Sequence, residues 1–410
     1  MITPAVPRIV GDFQSSSPSV AALLISVHVI GFALGPLIVS PACELYGRNP
    51  LMHISNFMFL FATLMCALST NMIMLIIARF MTGMAGCIPT VLEGGYIADL
   101  IPVGKRGRIM AIWALGPLLG SVIGPIIGGY LTLNAGWRWA FWSMVIVSGA
   151  QAAAGIFCLK ETFVPVILQR KNATRAQPSL SKELSPFWTA FVCPAKLATR
   201  SPIVIISALH ITIAYVYFYF IVTTFPTLFG DHYGFNSGQI GLVYISPALG
   251  YLVGMITFGS LSDWYLERRQ CTRGMSDPED RLFSLFPGNI LIAVGMMWYG
   301  WSIQIDIHWI MPLAGVSFVT IGISGVFLAI QPYLTDSFGV HVAHAIAVST
   351  VVRSIFGGLL PLTGPSLYSH LGYGLGNTLL GLLALIISPT ALLFFKYGGK
   401  LRTDPNFHVL

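Results

Sequence analysis

Charged side chains are scarce in this sequence. Only 9% of its 410 residues are Asp, Glu, Lys or Arg, whereas these residues make up about 25% of a typical soluble protein. Long stretches that contain none of them include 49–78, 109–137, 201–230, 232–262, 307–335 and 354–395. Each is longer than the ~20 residues that an apolar helix needs to cross a bilayer. The lack of charge therefore excludes an ordinary soluble protein and indicates that lipid surrounds most of the chain.

Several chemical signatures are also missing. The cysteines show no CxxC spacing, so neither a disulfide framework nor a metal site is expected. They are Cys43, Cys66, Cys87, Cys158, Cys193 and Cys271. No G-x-x-x-x-G-K-[ST] sequence is present, so an ATP-driven pump has no support. No Ser/His/Asp arrangement indicates an enzyme, and we expect no cofactor. The opening "MITPAVPRIVGDF" lacks the apolar core of a cleavable signal peptide.

Turn residues and charges divide the apolar sequence into eleven predicted spans. They are 20–41, 51–68, 72–97, 109–131, 138–159, 202–229, 239–261, 286–304, 309–333, 342–368 and 374–396. The segments are continuously apolar and do not alternate in roughly ten-residue strands, which disfavours a β-barrel. The sequence therefore predicts an all-α polytopic membrane protein with 11 transmembrane helices.

Lys and Arg collect on alternate connections between these spans. One side holds 18 of the 22: Arg48, Lys105, Arg106, Arg108, Lys160, Arg170, Lys171, Arg175, Lys182, Lys196, Arg200, Arg268, Arg269, Arg273, Arg281, Lys396, Lys400 and Arg402. The positive-inside rule makes this side cytoplasmic. The net charge of +7 then reflects topology and anionic lipid headgroups, and it is no evidence for nucleic-acid binding. The tail after the last span is on the cytoplasmic side, so an odd number of spans places residues 1–19 on the outside. No hydrophobic segment precedes these residues to export them, which predicts that a first span has been lost.

The spans fall into two halves. We expect an N-terminal half over 1–159 with five spans, a basic cytoplasmic linker over 160–201, a C-terminal half over 202–397 with six spans, and a cytoplasmic tail over 398–410. The segments "GPLIVSPACELYGR" (35–48) and "GMITFGSLSDWYLERR" (254–269) each end a span with small residues, an acid, an aromatic and a basic residue. Repeated halves are typical of secondary transporters, which bind substrate near the midplane where the halves meet.

Ionisable residues inside spans are candidate functional residues, because charge in hydrocarbon costs at least ~2.5 kcal/mol. Arg79, in "LIIARFMTGMAG", is either a fixed positive charge that tunes a nearby acid or holds an anion, or a structural charge that pairs between helices or snorkels to the outer interface. Glu93 lies fourteen residues further along, about 21 Å on the helix axis. It is either the protonatable group or a salt-bridge partner of Lys105 or Arg106.

Arg353, in "STVVRSIFGG", lies near mid-depth of its span. It is either a substrate or relay charge, or a structural donor to unwound carbonyls around Gly357 and Gly358. Aromatic residues crowd the segment 214–229, on opposite faces of one helix. Some of these rings are expected to line a cavity for amphipathic or cationic ligands, while others pack.

The stretch "GPLLGSVIGPIIGGYL" (116–131) places small residues at every fourth position of an apolar helix. The residues concerned are Gly116, Pro117, Gly120, Gly124, Pro125, Gly128 and Gly129. In a membrane such a stripe favours close backbone contact between helices, and the prolines favour bends that neighbouring helices absorb. The stretch is either a hinge or an ordinary packing seam.

Five motifs in this order carry a family likeness: "SPACELYGRNP" (40–50), "LIIARFMTGMAG", "ADLIPVGKRGR", "GPLLGSVIGPIIGGYL" with "GWRWAFW", and "KETFVPVILQRK". Together they resemble the major facilitator superfamily, and within it the fungal twelve-span drug:proton antiporters. The resemblance implies that Glu44, Arg48, Asp99 and Arg106 form a cytoplasmic charge cluster that gates the inward-facing state, and that Arg79 serves proton coupling. Asn49, Ser40 and Glu93 depart from the family pattern.

The resulting hypothesis is a proton-coupled antiporter that exports small organic compounds such as drugs, toxins or secondary metabolites. Its partners would be the substrate, protons and the lipid bilayer, and we expect a monomer in the plasma membrane or the vacuolar membrane. Two alternatives stay open at this point. One is a proton-independent facilitator or uptake carrier, and the other is a truncated remnant that does not transport.

Overall fold

The computed structural model describes residues 1–14, 18–100, 106–159, 161–162, 166–167, 201–273, 278–338 and 342–403. Within these ranges every regular element is helical. The chain forms two compact units. Unit 1 comprises Met1–Ala195 together with Asn236–Gly241, and unit 2 comprises Lys196–Phe235 together with Leu242–Leu410.

Unit 1 contains five long helices and a short one. After a 3₁₀ turn at Thr3–Ala5 come α1 (Val6–Asp12), α2 (Pro18–Tyr46), α3 (Arg48–Ala67), α4 (Met72–Leu100), α5 (Arg106–Asn134) and α6 (Trp137–Cys158). Glycine at position 47, with φ of 90°, lets the chain turn sharply between α2 and α3.

Unit 2 is built from the remaining helices. They are α7 (Pro202–Thr227), which a π-helical turn extends over Leu228–His232, then α8 (Ser237–Val243), α9 (Ile245–Arg273), α10 (Leu285–Gln304), α11 (Ile310–Phe338), α12 (Val342–Leu359) and α13 (Gly364–Thr403). Helix α13 is kinked at Gly372, where φ is 72°. The first part of α8 belongs to unit 1. Short 3₁₀ segments precede α10 (Pro278–Ser284) and α13 (Leu360–Thr363).

The long helices are apolar enough to cross a membrane. In the described part of the chain, nine segments meet the length and hydropathy expected of a span, and the longest, Ala345–Gly399, covers most of α12 and most of α13. The described apolar part of α5, Leu119–Asn134, is shorter. The predicted all-α polytopic fold is therefore confirmed.

Several predicted boundaries differ from the structure, and two of them have a clear physical cause. The predicted span 342–368 is interrupted, because α12 ends at Leu359 and α13 begins at Gly364. Proline at 361 favours this break, since it has no backbone N–H to donate. The predicted span ending at 261 continues as α9 to Arg273. This polar extension is held by packing, with the Tyr265 ring stacked on Phe283 at a centroid distance of 4.4 Å.

Glycines set the packing of α2 against α4 in unit 1. A Cβ on Gly31 would clash with the carbonyl oxygen of Phe80, and a Cβ on Gly83 would clash with that of His28. The two backbones therefore touch at these positions. In lipid, where apolar burial between helices contributes little, such backbone contact is a main source of helix association.

Candidate functional site

Arg79 lies inside unit 1 between α2 and α4. Only 7% of its surface is exposed. Its Nε donates to the carbonyl oxygen of Leu24 on α2 at 3.4 Å. The backbone carbonyl of Arg79 accepts a hydrogen bond from the hydroxyl of Thr82 at 2.7 Å. The close α2–α4 contact thus holds a permanently charged guanidinium within the helical interior.

His28 joins the same polar cluster from α2. Its Nδ1 lies 3.2 Å from the Thr82 hydroxyl oxygen, so Thr82 links the imidazole to the Arg79 backbone. The Phe32 ring lies beside it at 5.6 Å between centroids. The sequence pattern did not single out His28, because a histidine counts as neutral and does not interrupt an uncharged run. Its position as a titratable residue within the span 20–41 was the available signal.

Glu93 lies on the same continuous helix as Arg79, since α4 runs from Met72 to Leu100. An unbroken helix keeps the two residues ~21 Å apart along its axis, so they do not pair directly. The side chain of Glu93 lies outside what the structure describes. Its role as a protonatable group stays a prediction.

The predicted cytoplasmic charge cluster is described in part. The side chains of Glu44, Asp99 and Arg106 lie outside the described set, so their grouping stays a prediction. Arg48 is described and begins α3, with its guanidinium carbon 6.0 Å from the centroid of the Tyr96 ring on α4.

Glu161 is a further residue at this end of unit 1. Its carboxylate oxygens accept hydrogen bonds from the backbone N–H of Arg48 at 3.1 Å and of Asn49 at 3.2 Å. These N–H groups open α3 and have no partner within the helix, so a carboxylate is favoured there by hydrogen bonding and by the helix dipole. The sequence showed only an acid after a span, and nothing in its neighbourhood pointed to a helix 113 residues earlier.

Removing this cap should destabilise unit 1. Glu161→Ala is expected to lower the free energy of unfolding by about 1 kcal/mol, the usual effect of losing a helix N-cap. The apparent melting temperature of the purified protein in detergent measures the loss. Glu267→Ala is the matched control, because Glu267 is an exposed acid on α9. Equal melting temperatures for the two variants would contradict the capping role.

The glycine-rich stretch on α5 makes backbone contact at one end. A Cβ on Gly129 would clash with the carbonyl oxygen of Ser237, which is part of unit 1, and a Cβ on Gly128 would clash with that of Met1. Gly116 and Gly120 meet no described atom within 4 Å. Gly124 is close to Met1, and the side chain of Pro117 lies outside the described set. The stretch therefore packs closely against neighbouring backbone at 128–129, while its role as a hinge stays a prediction.

Arg353 lies on α12 in unit 2, against aromatic rings. Its guanidinium carbon is 5.1 Å from the centroid of the Tyr215 ring on α7 and 5.6 Å from that of Phe327 on α11. Its Nε is buried and has no hydrogen-bond acceptor among the described residues. Helix α12 stays regular through Gly357 and Gly358, so no unwound carbonyls are present there to receive the guanidinium.

Unit 2 has its own paired charges at the end of α9. The Arg269 Nε lies 3.6 Å from a carboxylate oxygen of Asp280 and donates to the Tyr265 hydroxyl at 2.9 Å. The Arg268 guanidinium lies over the Trp264 ring at 5.2 Å. All of these residues except Asp280 belong to the segment 254–269, which resembles 35–48 in sequence.

The chain matches a known family over most of its length. The profile of the Major Facilitator Superfamily matches residues 1–361. The chain belongs to this superfamily. Its membership confirms the resemblance that the motifs indicated, and it makes the chain a multi-pass membrane transporter of small organic molecules, in a family of transporters rather than enzymes.

Fungal members of the superfamily are similar in sequence. The efflux pump radE of Floropilus chiversii is 38% identical over 422 residues, an alignment that covers 100% of this chain and 78% of radE. The MFS-type transporter tndD of Aspergillus flavipes is 42% identical over 418 residues, covering 98% of this chain and 78% of tndD.

A solved superfamily structure has the same fold. The xylose transporter XylE from E. coli, in a partially occluded inward-open conformation, aligns with a TM-score of 0.73. The alignment covers 97% of this chain and 92% of XylE at 15% sequence identity. Identity this low relates the two proteins by fold alone.

Proposed function

We propose that this superfamily member is a proton-coupled antiporter that exports small organic compounds such as drugs, toxins or secondary metabolites. It acts as a monomer in a lipid bilayer, the plasma membrane in the first instance. One observation carries the proposal: Arg79 is buried in the α2–α4 contact beside the titratable His28, with Thr82 between them. Buried ionisable groups within spans mark ion and proton pathways in transporters.

The cluster suggests how proton binding and substrate binding are coupled. A proton on His28 adds a second positive charge beside the fixed charge of Arg79, and the two repel each other. Any step that draws Arg79 towards an anionic group favours protonation, and the reverse step favours release. Glu93, further along α4, is the second candidate for the proton carrier.

The direction of transport rests on the relatives. One similar protein bears the name efflux pump, which supports export for this chain as well. Proton coupling in the direction of export then requires that protons enter as substrate leaves, which is antiport.

Transport into inside-out membrane vesicles tests the proposal. The probes are rhodamine 6G, an amphipathic cation, and 2-naphthoate, an aromatic anion. An acidic interior should drive uptake of at least one probe into vesicles that contain the protein, and a protonophore should abolish this uptake. Uptake that the protonophore leaves unchanged would instead identify a facilitator. Uptake equal to that of vesicles without the protein would contradict transport of these probes.

His28→Asn separates coupling from substrate movement. Asparagine keeps a hydrogen-bonding group near Thr82 but cannot take up a proton. We expect proton-driven uptake to fall at least tenfold, while exchange of labelled for unlabelled probe at equal pH persists. His210→Asn is the matched control, because His210 is a buried histidine in unit 2 that is bonded to Ile206 and Thr390. Wild-type uptake by His28→Asn combined with a loss in Glu93→Gln would assign the carrier to Glu93.

A further inference from the structure

Arg353 carries a permanent positive charge that nothing in the described part of unit 2 neutralises. A guanidinium stays protonated at all physiological pH values. Arg353 has neither an ion pair nor a hydrogen bond among the described residues, and its Nε is buried without an acceptor. Burying an unpaired charge in a membrane protein costs free energy unless a counter-ion or a hydrogen-bond acceptor is supplied.

The helices packed around Arg353 hold no acid at its level. Helices α7 and α12 contain neither Asp nor Glu. The acid on α11, Asp336, is nine residues beyond Phe327, which is ~13 Å along the axis. On α9, Tyr251 lies within electrostatic reach of Arg353, and Asp263 is twelve residues beyond Tyr251, ~18 Å along the axis. Among the residues that the structure describes on these four helices, no acid is therefore within reach of Arg353.

The neighbours that Arg353 does have are aromatic. Tyr215 and Phe327 approach the guanidinium from two different helices. Ring faces attract a cation, but they do not replace the oxygen acceptors that the N–H groups of an arginine bind most strongly. The N–H groups are thus free to bind an anion.

The aromatic wall is built into the helix packing. A Cβ on Gly357 would lie 2.7 Å from Cδ1 of Tyr215, so only glycine at this position lets the Tyr215 ring lie against α12. The next ring on the same face of α7 is Tyr219, with centroids 4.8 Å apart. Arg353, Tyr215 and Phe327 are all only partly buried, so the cluster is open to a ligand.

We propose that Arg353 binds a carboxylate, or an oxyanion of similar shape, on an aromatic substrate whose ring body lies against Tyr215 and Phe327. This inference rests on the proposed transport function, and it names the substrate class as aromatic organic acids. The fork of a guanidinium matches the two oxygens of a carboxylate, and the rings accommodate the apolar body of the same molecule.

Equilibrium binding to the purified protein in lipid nanodiscs tests the inference without any proton gradient. The labelled probe is 2-naphthoate, and the competitors are methyl 2-naphthoate and 2-naphthylmethylammonium at pH 7. We expect the wild-type protein to bind the acid roughly tenfold or more tightly than the ester and the amine. In Arg353→Gln the affinities for acid and ester should become equal.

Two further variants make the outcome decisive. Arg353→Lys keeps the charge but loses the planar fork, so the preference for the acid over the ester should fall at least threefold. This variant keeps the test usable if Arg353→Gln does not fold. Arg138→Gln is the matched control, because Arg138 also lies on an aromatic ring, at 4.3 Å from Trp137, yet donates to the Ser69 carbonyl. Its preference should equal that of the wild type.

An unchanged acid preference in both Arg353 variants would overturn the inference, as would a wild-type preference for the ester or the amine. Because binding is measured without a gradient, these results are independent of the vesicle experiment. A protein that binds the acid through Arg353 but shows no proton-driven uptake would contradict antiport alone.

Discussion

Arg79→Ala is expected to abolish export driven by a proton gradient, with the initial rate falling at least tenfold. The substitution removes the fixed charge beside His28 and the hydrogen bond that the Arg79 side chain donates to the carbonyl of Leu24. Without that charge, protonation of His28 no longer depends on the position of a guanidinium. The proton gradient then no longer drives the transport cycle. Uptake into inside-out vesicles, normalised to the amount of protein in the membrane, measures the effect.

Two variants test whether charge alone accounts for the loss. Arg79→Lys keeps a positive charge, although it loses the planar donor set, and should retain part of the gradient-driven rate. Arg138→Ala removes an exposed arginine from unit 1 and should transport as the wild type does. A wild-type rate in Arg79→Ala would refute the proposed role of Arg79.

Gly83→Ala is expected to lower the stability of unit 1 by about 1–3 kcal/mol, the usual effect of overpacking a tight interior. The added methyl group would clash with the carbonyl oxygen of His28, which is backbone and cannot rotate away. Helices α2 and α4 must then separate, which also breaks the link between His28 and Thr82. We therefore expect both a lower apparent melting temperature in detergent and weaker proton-driven uptake.

Gly149→Ala is the matched substitution on α6. A Cβ there would lie 3.8 Å from Cδ1 of Leu60, which is ordinary van der Waals contact. In a helix without a steric clash, alanine is more stable than glycine by up to ~1 kcal/mol. The two substitutions should consequently shift the melting temperature in opposite directions. A stabilised Gly83→Ala would show that α2 and α4 are not in backbone contact at this point.

The membrane spans could be predicted closely from the sequence, whereas their ends near glycine and proline could not. Span 72–97 lies within α4, and span 109–131 lies within α5. The predicted span 342–368, in contrast, ends early at Leu359. The sequence stays apolar through this break. Side-chain hydropathy therefore does not show that the missing N–H of Pro361 interrupts the helix.

The candidate site was predictable only in part. Arg79 and Arg353 stood out because each is a charge within an uncharged run. His28 and Glu161 did not, since a histidine leaves the charge pattern intact and an acid after a span is ordinary. Their importance comes from the atoms they contact, namely the Thr82 hydroxyl and the first N–H groups of α3.

By itself, the sequence determined that this chain is a helical, many-span membrane protein, because each segment partitions between lipid and water according to its own side chains. Only the tertiary structure decided which ionisable groups meet. Glycines such as Gly31, Gly83 and Gly357 allow helix backbones and rings to touch at particular points, and these contacts bring together residues far apart in the chain. That is why Arg79 lies beside His28, and why Arg353 lies against aromatic rings with no counter-ion among the residues that the structure describes.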